Sequence, residues 1–308
     1  MPDSINYPTI KRMLSESRIN TYHQFFSDHS DQEIYGIYLW NMSLCGAFYP
    51  LLQTAEIALR NTINNVALEH YGEDWHTKIV HSEYNGLSKN SPATKLKNAF
   101  KDAIRKVIKD ENEVRAKNNL EPHPLGYKPN FNKIVSNTNF VTWEYVLHPL
   151  FFRVSNPNYL WPQKIKRAFK NRPYRSPKDT LTLLYNLVSE IRPFRNRLSH
   201  HEPLWKGVTT RTEADALQYL NKKIDVIEKL IHIISSEKNK YLEVHGLIRK
   251  TRLMASKETL DTYRYRTQSA TLSLKHKNKV RRFLSYVHDN DKPVLFSHGG
   301  RAFQISPA

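Results

Sequence analysis

A stretch of about forty residues between Ser30 and Gly72 constrains the fold more than any other part of the chain. From Gln32 to Tyr71 apolar residues recur at spacings of three and four, as Leu52, Ala55, Leu59, Ile63 and Val66 do, which is the spacing of one helical face. Gly72 closes the run as a helix C-terminal signal, and Asp28, Ser30 and Asp31 are capping candidates at its start. The same period reappears elsewhere. It predicts helices through Ser17 to Phe26, Ser91 to Asn119, Leu181 to His200, and Glu213 to Ser235. The last has Leu217, Leu220, Ile224, Ile227, Leu230 and Ile234 on its apolar side, whereas Ser91 to Asn119 is more polar, with a narrow apolar stripe. Residues 120–132 hold three prolines and a glycine and predict a loop. Phe140 to Phe152 is aromatic enough to be core, and Pro293-Val-Leu-Phe296 is strand-like but short. The expected class is all-α, with no internal repeat at a solenoid period.

Composition narrows what such a helical chain does. The 308 residues are 39% hydrophobic, enough for a buried core, and carry a formal net charge of +18. A chain that repels itself this strongly calls for a polyanion, and nucleic acid fits better than a membrane surface, because the basic residues are dispersed rather than gathered on a helix with Trp or Phe opposite. The segment from Trp161 to Lys178 interleaves cations with aromatics, as a surface that holds phosphates and stacks bases would; Lys164, Lys166, Arg167, Lys170, Arg172 and Arg175 are the RNA-binding candidates. Beyond Gly246 periodicity weakens and 13 Lys or Arg stand against 4 Asp or Glu, which predicts a helical domain over 1–245 and a basic tail or appendage over 246–308.

No stretch approaches the roughly 18 to 20 apolar residues of a membrane span, and the first residues do not resemble a leader, so the expected location is the cytoplasm and no membrane partner is expected. The single cysteine, Cys45, reads as a small buried hydrophobe. His23, His29, His70, His76, His81, His276, His288 and His298 lack metal-ligand spacing with carboxylates or cysteines, so no metal and no cofactor are expected.

The most informative segment is Ser189-Glu-Ile-Arg-Pro-Phe-Arg-Asn-Arg-Leu-Ser-His-His-Glu-Pro-Leu-Trp205. On a helix, Asn196 and His200 share a face, with Arg195 beside them. Pro203 stops the helix soon after His201, which places His200 near a helix end and close to solvent, and Pro193 predicts a kink just before the arginine. These groups suit RNA cleavage, because the substrate carries its own nucleophile in the 2′-hydroxyl. What remains is a proton to move, which histidine does near neutral pH, and phosphorane charge to stabilise, which a forked arginine does; an asparagine amide can hold either in place.

Arg195-Asn196-Arg197-Leu198-Ser199-His200-His201-Glu202-Pro203-Leu204-Trp205 resembles the signature of Abi-like (abortive infection) proteins, in which R-N-x-x-x-H-H-E recurs. A second match lies upstream in the same order: Leu39-Trp40-Asn41, Ala47-Phe48-Tyr49, Glu56 to Arg60-Asn61, and Tyr71-Gly72 with Trp75. The resemblance spans about residues 17 to 235. It implies an all-helical HEPN-type bundle with helical insertions, a homodimer whose R-x-x-x-x-H motifs face each other, and ribonuclease activity in antiphage defence. Arg195, Asn196 and His200 match that motif residue for residue. Leu198-Ser199 depart from the usual small pair before the histidine, and Phe140-Val-Thr-Trp143 has Val where the family has Gly.

Glu56 and Arg60, four apart, are read either as a surface ion pair or as braces of the site together with Asn61. His201 and Glu202 are candidates to orient His200 or hold Arg197. The partners considered are RNA, as substrate and as a regulatory small RNA, a second copy of the chain, and an antitoxin protein. The competing readings are an RNA-binding scaffold without catalysis and, last, a DNA-binding regulator, for which no helix-turn-helix pattern is present.

Overall fold

The computed structural model describes residues 6–81, 90–266, 277–290, 294–298 and 301–305. Over those residues the chain is helical in class, with fourteen α-helices, one short 3₁₀ turn and a single C-terminal β-hairpin. His276, Pro293 and residues 267–276 of the expected tail lie outside the described residues.

The long run forms one uninterrupted helix, α3 (Asp31–Tyr71), as its apolar spacing predicts. Its start is fixed by a reciprocal cap: the Ser30 hydroxyl accepts from the Glu33 N–H while the Glu33 carboxylate accepts from the Ser30 N–H at 2.9 Å. Before it come α1 (Tyr7–Leu14) and α2 (Glu16–Phe25). After it come α4 (Trp75–His81), α5 (Pro92–Lys117), α6 (Phe131–Ser136), α7 (Phe140–Val146) and α8 (Leu160–Ala168). The motif helix is α9 (Pro177–Ser199), followed by α10 (Glu213–Ile234), α11 (Ser236–Val244), α12 (Leu247–Met254), α13 (Lys257–Tyr263) and α14 (Lys277–Asn290). Strands β1 (Val294–His298) and β2 (Arg301–Ile305) pair antiparallel, with Val294 opposite Ile305.

The chain divides into two compact units, one made of residues 1–51, 196–225 and 241–308, the other of 52–195 and 226–240. In the first, α3 buries Ile34, Ile37, Trp40, Leu44 and Phe48. Residues after Gly246 are part of that packing. Trp40 donates its indole N–H to the Met254 carbonyl, Ser43 bonds the Tyr263 hydroxyl at 2.6 Å, and Thr251 donates to the Ala47 carbonyl at 3.0 Å. Arg264, 2% exposed, is held by Glu213 and Asp261 and touches His29. The segment read from sequence as a basic tail therefore supplies, through α12 and α13, interior surface for α3. Charge misled that reading, because Arg264 and Arg266 are spent on Glu213, Asp261 and Glu33 inside the unit.

In the second unit the core is aromatic. Trp75, Phe100, Phe131 and Trp143 meet with ring centroids 5.1 to 6.5 Å apart, and Trp75 satisfies its indole on the buried Asn64 at 2.9 Å. Trp75 thereby joins large apolar area to a satisfied polar tip, whereas the buried indole N–H of Trp143 has no hydrogen-bond partner among the described residues. Among the described residues no helix is long and apolar enough to cross a membrane.

Candidate active site

The arginine end of the motif belongs to the second unit. Helix α9 buries Leu181, Leu184, Val188, Ile191 and Phe194, one stripe at spacings of three and four; Arg195, four residues after Ile191, continues that stripe at its end, and Arg192, three residues earlier, flanks it, both half-buried. The helix runs through Pro193 without a break, and the proline stands on its exposed side. Each arginine meets a carboxylate. Arg195 Nε lies 3.4 Å from Glu56 Oε2. Arg192 binds the buried Glu144 of α7, which also accepts from the Ser189 hydroxyl at 3.0 Å. Glu56 is thus paired across to α9, while Arg60, its expected neighbour along α3, has its Nε buried without a hydrogen-bond partner. Asn61 is exposed.

The histidine end belongs to the first unit. The His200 N–H donates to the Asn196 carbonyl at 2.9 Å, which sets the two residues one turn apart. The helix then stops in a two-bond cap: the His201 N–H reaches the Leu198 carbonyl at 3.2 Å and the Glu202 N–H the Arg197 carbonyl at 2.9 Å. His201 adopts φ 57°, the left-handed conformation that glycine usually fills in such a cap. A side chain there carries a strain of about 1–2 kcal/mol, so the turn needs external support.

That support is visible. Arg18 of α2 donates to the His201 carbonyl at 3.1 Å, and the buried Asn41 of α3 accepts the Leu204 N–H at 2.8 Å. Trp205 is fully buried against Tyr22, Phe25 and Phe26, with ring centroids 5.5, 4.6 and 5.2 Å away. Residues 201–205 are pinned at three points, while Asn196, His200, His201 and Glu202 stay exposed. A polar helix end held by a rigid frame yet open to solvent can receive a large ligand without rearrangement. Proline stop and apolar Leu-Trp were legible in the sequence. The roles of Arg18, Glu144 and Arg192 were not, because nothing local marks which distant carboxylate or carbonyl a cation will meet.

The cation patch is only partly available. Lys164 and Arg167 both bind Glu69, at 2.9 and 2.7 Å, and Arg172 has its Nε buried without a partner. Lys166, Lys170 and Arg175 are exposed. Two cavities of the second unit, about 490 and 740 Å³, are lined by residues such as Glu111, His123 and Lys133, or His76 and Phe131, and include no motif residue. Among the described residues no three His, Cys, Asp or Glu side chains gather as a metal site requires. Cys45 is half-buried, and burial pushes its thiol up to about 11, so it is a poor nucleophile.

A family model described as Abi-like protein matches residues 3–206, which takes in the whole of α3 and ends one residue past Trp205. No curated protein matches the chain, and no solved structure does. With two-thirds of its length matched, the chain belongs to the Abi-like protein family.

Proposed function

We propose that this protein is a metal-independent endoribonuclease of HEPN type that acts in abortive-infection defence. The observation that carries the reading is the end of α9, where a carboxylate-held arginine and an exposed histidine stand five residues apart on a pinned helix terminus. In the reaction His200 takes the proton of the 2′-hydroxyl as its oxygen bonds to phosphorus. Arg195 stabilises the added negative charge on the phosphorane oxygens, and Asn196 orients the phosphate through its amide. The bond to the 5′-oxygen breaks, and that oxygen takes a proton from a protonated histidine. The products are a 2′,3′-cyclic phosphate and a free 5′-hydroxyl. No water needs activating, because the nucleophile is already tethered beside the phosphorus. One motif offers one catalytic histidine, so a second copy supplies the acid while the first supplies the base.

The deciding experiment incubates the purified chain with total RNA in EDTA, wild type beside His200→Ala. Cleavage to cyclic-phosphate ends by the wild type alone is the expected outcome, with 2′-deoxy or 2′-O-methyl sugars at the scissile position resisting. Activity that EDTA abolishes and magnesium restores would sink this mechanism. If His200→Ala retains both RNA binding and biological function, the protein is instead an RNA-binding scaffold.

A further inference from the structure

Residues 34–55 hold no Asp, Glu, Lys or Arg, in a chain where 47 basic and 29 acidic residues occur. Over that span α3 buries Trp40, Leu44 and Phe48 on its inner side. Its outer side is also apolar: Leu39, Met42 and Tyr49 are 48%, 55% and 55% exposed. With Gly46 they form a continuous stripe at helical spacing, i, i+3, i+7 and i+10.

Gly46 has no packing explanation among the described residues. A Cβ added there would meet nothing within 4 Å among the described residues, whereas at Gly36, ten residues earlier, it would sit 1.9 Å from the Tyr263 carbonyl oxygen. Gly36 is required by internal packing, and Gly46 is not, although a mid-helix glycine weakens a helix relative to alanine. Pro50 lacks an N–H and cannot donate to the Gly46 carbonyl, which weakens the same turn further. A glycine at the centre of an exposed apolar stripe fits close approach by a helix from outside the chain.

We infer that the Leu39–Tyr49 stripe is the centre of an interface between two copies of this chain, crossing antiparallel at Gly46. RNA does not fit this face, which offers its phosphates no cation. A second copy does: at net charge +18 two chains repel, and identical faces meet at least electrostatic cost where neither carries charge. The spacing is self-complementary as well. Met42 lies four residues before Gly46 and Tyr49 three after, so a two-fold axis at Gly46 sets the thioether of Met42 against the ring of Tyr49 in the second copy. Asn41, between Leu39 and Met42, holds the Leu204 N–H, so the interface helix is also the helix that anchors the turn beside His200. The proposal rests on the ribonuclease reading only for why pairing is useful, since one copy offers one motif histidine.

Sedimentation equilibrium of the full chain tests it. The wild type is expected at twice 36.2 kDa. Gly46→Leu, which meets open space in its own chain and favours the helix, is expected to weaken association at least about tenfold with unchanged circular dichroism. Met42→Glu is expected to do the same. In Cys45→Ser/Gly46→Cys the two new thiols face each other at the axis and are expected to form an intermolecular disulfide on mild oxidation. A wild type that stays monomeric at about 100 µM, or a dimer that Gly46→Leu and Met42→Glu leave intact, overturns the proposal. Cleavage by a monomeric Gly46→Leu variant would leave this interface standing and remove the two-histidine step. An undisturbed dimer that cleaves RNA in EDTA would do the reverse.

Discussion

Asn41 Oδ1 accepts the Leu204 backbone N–H at 2.8 Å, and both groups are buried. Through this one bond the long helix α3 fixes the chain four residues after His200. Replacing Asn41 by the near-isosteric Leu leaves the Leu204 N–H buried without a partner, a cost of about 1–3 kcal/mol. Urea unfolding of Asn41→Leu is expected to show that loss. RNA cleavage is expected to fall about tenfold or more, because His200 is no longer held where the proton must move. Stability at the wild-type level would mean the turn is secured elsewhere.

Glu56 is expected to matter for turnover rather than for folding. It faces Arg195 with both side chains partly solvated, so the pair adds little stability, about 0–1 kcal/mol. If it orients the guanidinium toward phosphate, Glu56→Gln lowers kcat about ten- to a hundredfold with RNA affinity unchanged, and Glu56→Asp recovers part of the loss. Equal kcat in wild type and Glu56→Gln would reduce the contact to an ordinary surface pair.

Acid is expected to loosen the first unit. Burial raises the Glu33 carboxyl, but the Arg266 and Ser30 hydrogen bonds outweigh it and bring it to about 2; Glu213 and Asp261, beside Arg264, are likewise held below the ordinary carboxylate range against burial. A carboxylate whose folded value is depressed contributes stability that is complete above its unfolded value and is lost as pH falls through the folded one. The first unit should therefore weaken from about pH 4.5 down to about 2 as Glu33 protonates, with Glu213 and Asp261 adding to the loss as each takes up its proton below its ordinary range. Hydrogen exchange across α12 and α13 reads this directly. In Glu33→Gln the loss over that window is expected to be smaller, and an identical pH profile would assign the acid sensitivity to other groups.

RNA affinity is expected to depend on α14 more than on Lys164 and Arg167. Lys277, Lys279, Arg281 and Arg282 are exposed on α14, whereas Lys164 and Arg167 already serve Glu69. Each phosphate contact removed lowers the slope of log K against log salt by about 0.7 for single strands and about 0.9 for duplex. Neutralising the four α14 cations should flatten the slope by up to four such steps, while Lys164→Gln/Arg167→Gln changes it little. Titration by fluorescence anisotropy at several salt concentrations distinguishes the two. Deleting residues 247–308 is not an equivalent test, because it strips Trp40 and Ser43 of their partners on Met254 and Tyr263.

Gly36→Ala is expected to destabilise the protein by about 1–3 kcal/mol or more, since the new methyl would stand 1.9 Å from the Tyr263 carbonyl and the backbone there must move. Thermal unfolding of this variant beside Gly46→Ala checks it. The second should be neutral or stabilising within one copy.

By itself the sequence determined the helical class, the length of α3, the end of α9, the extent of α10, and the exposed place of His200 at a helix end; α9 starts at Pro177, four residues before the expected Leu181. Those features depend on local causes: apolar period, capping residues, and a proline that cannot continue a helix. It also carried the family, because the R-N-x-x-x-H-H-E run and the α3 block are linear patterns. Tertiary structure decided which charges meet. Only packing brings Glu56 to Arg195, Glu144 to Arg192, and Arg18 to the His201 carbonyl, and only packing shows that Arg264 is an interior ion-pair hub rather than part of a basic tail. A charged side chain has the same sequence signature whether it faces water, a carboxylate or a phosphate. The free energy that separates these fates comes from desolvation and partner distance, and both are set by residues far away along the chain.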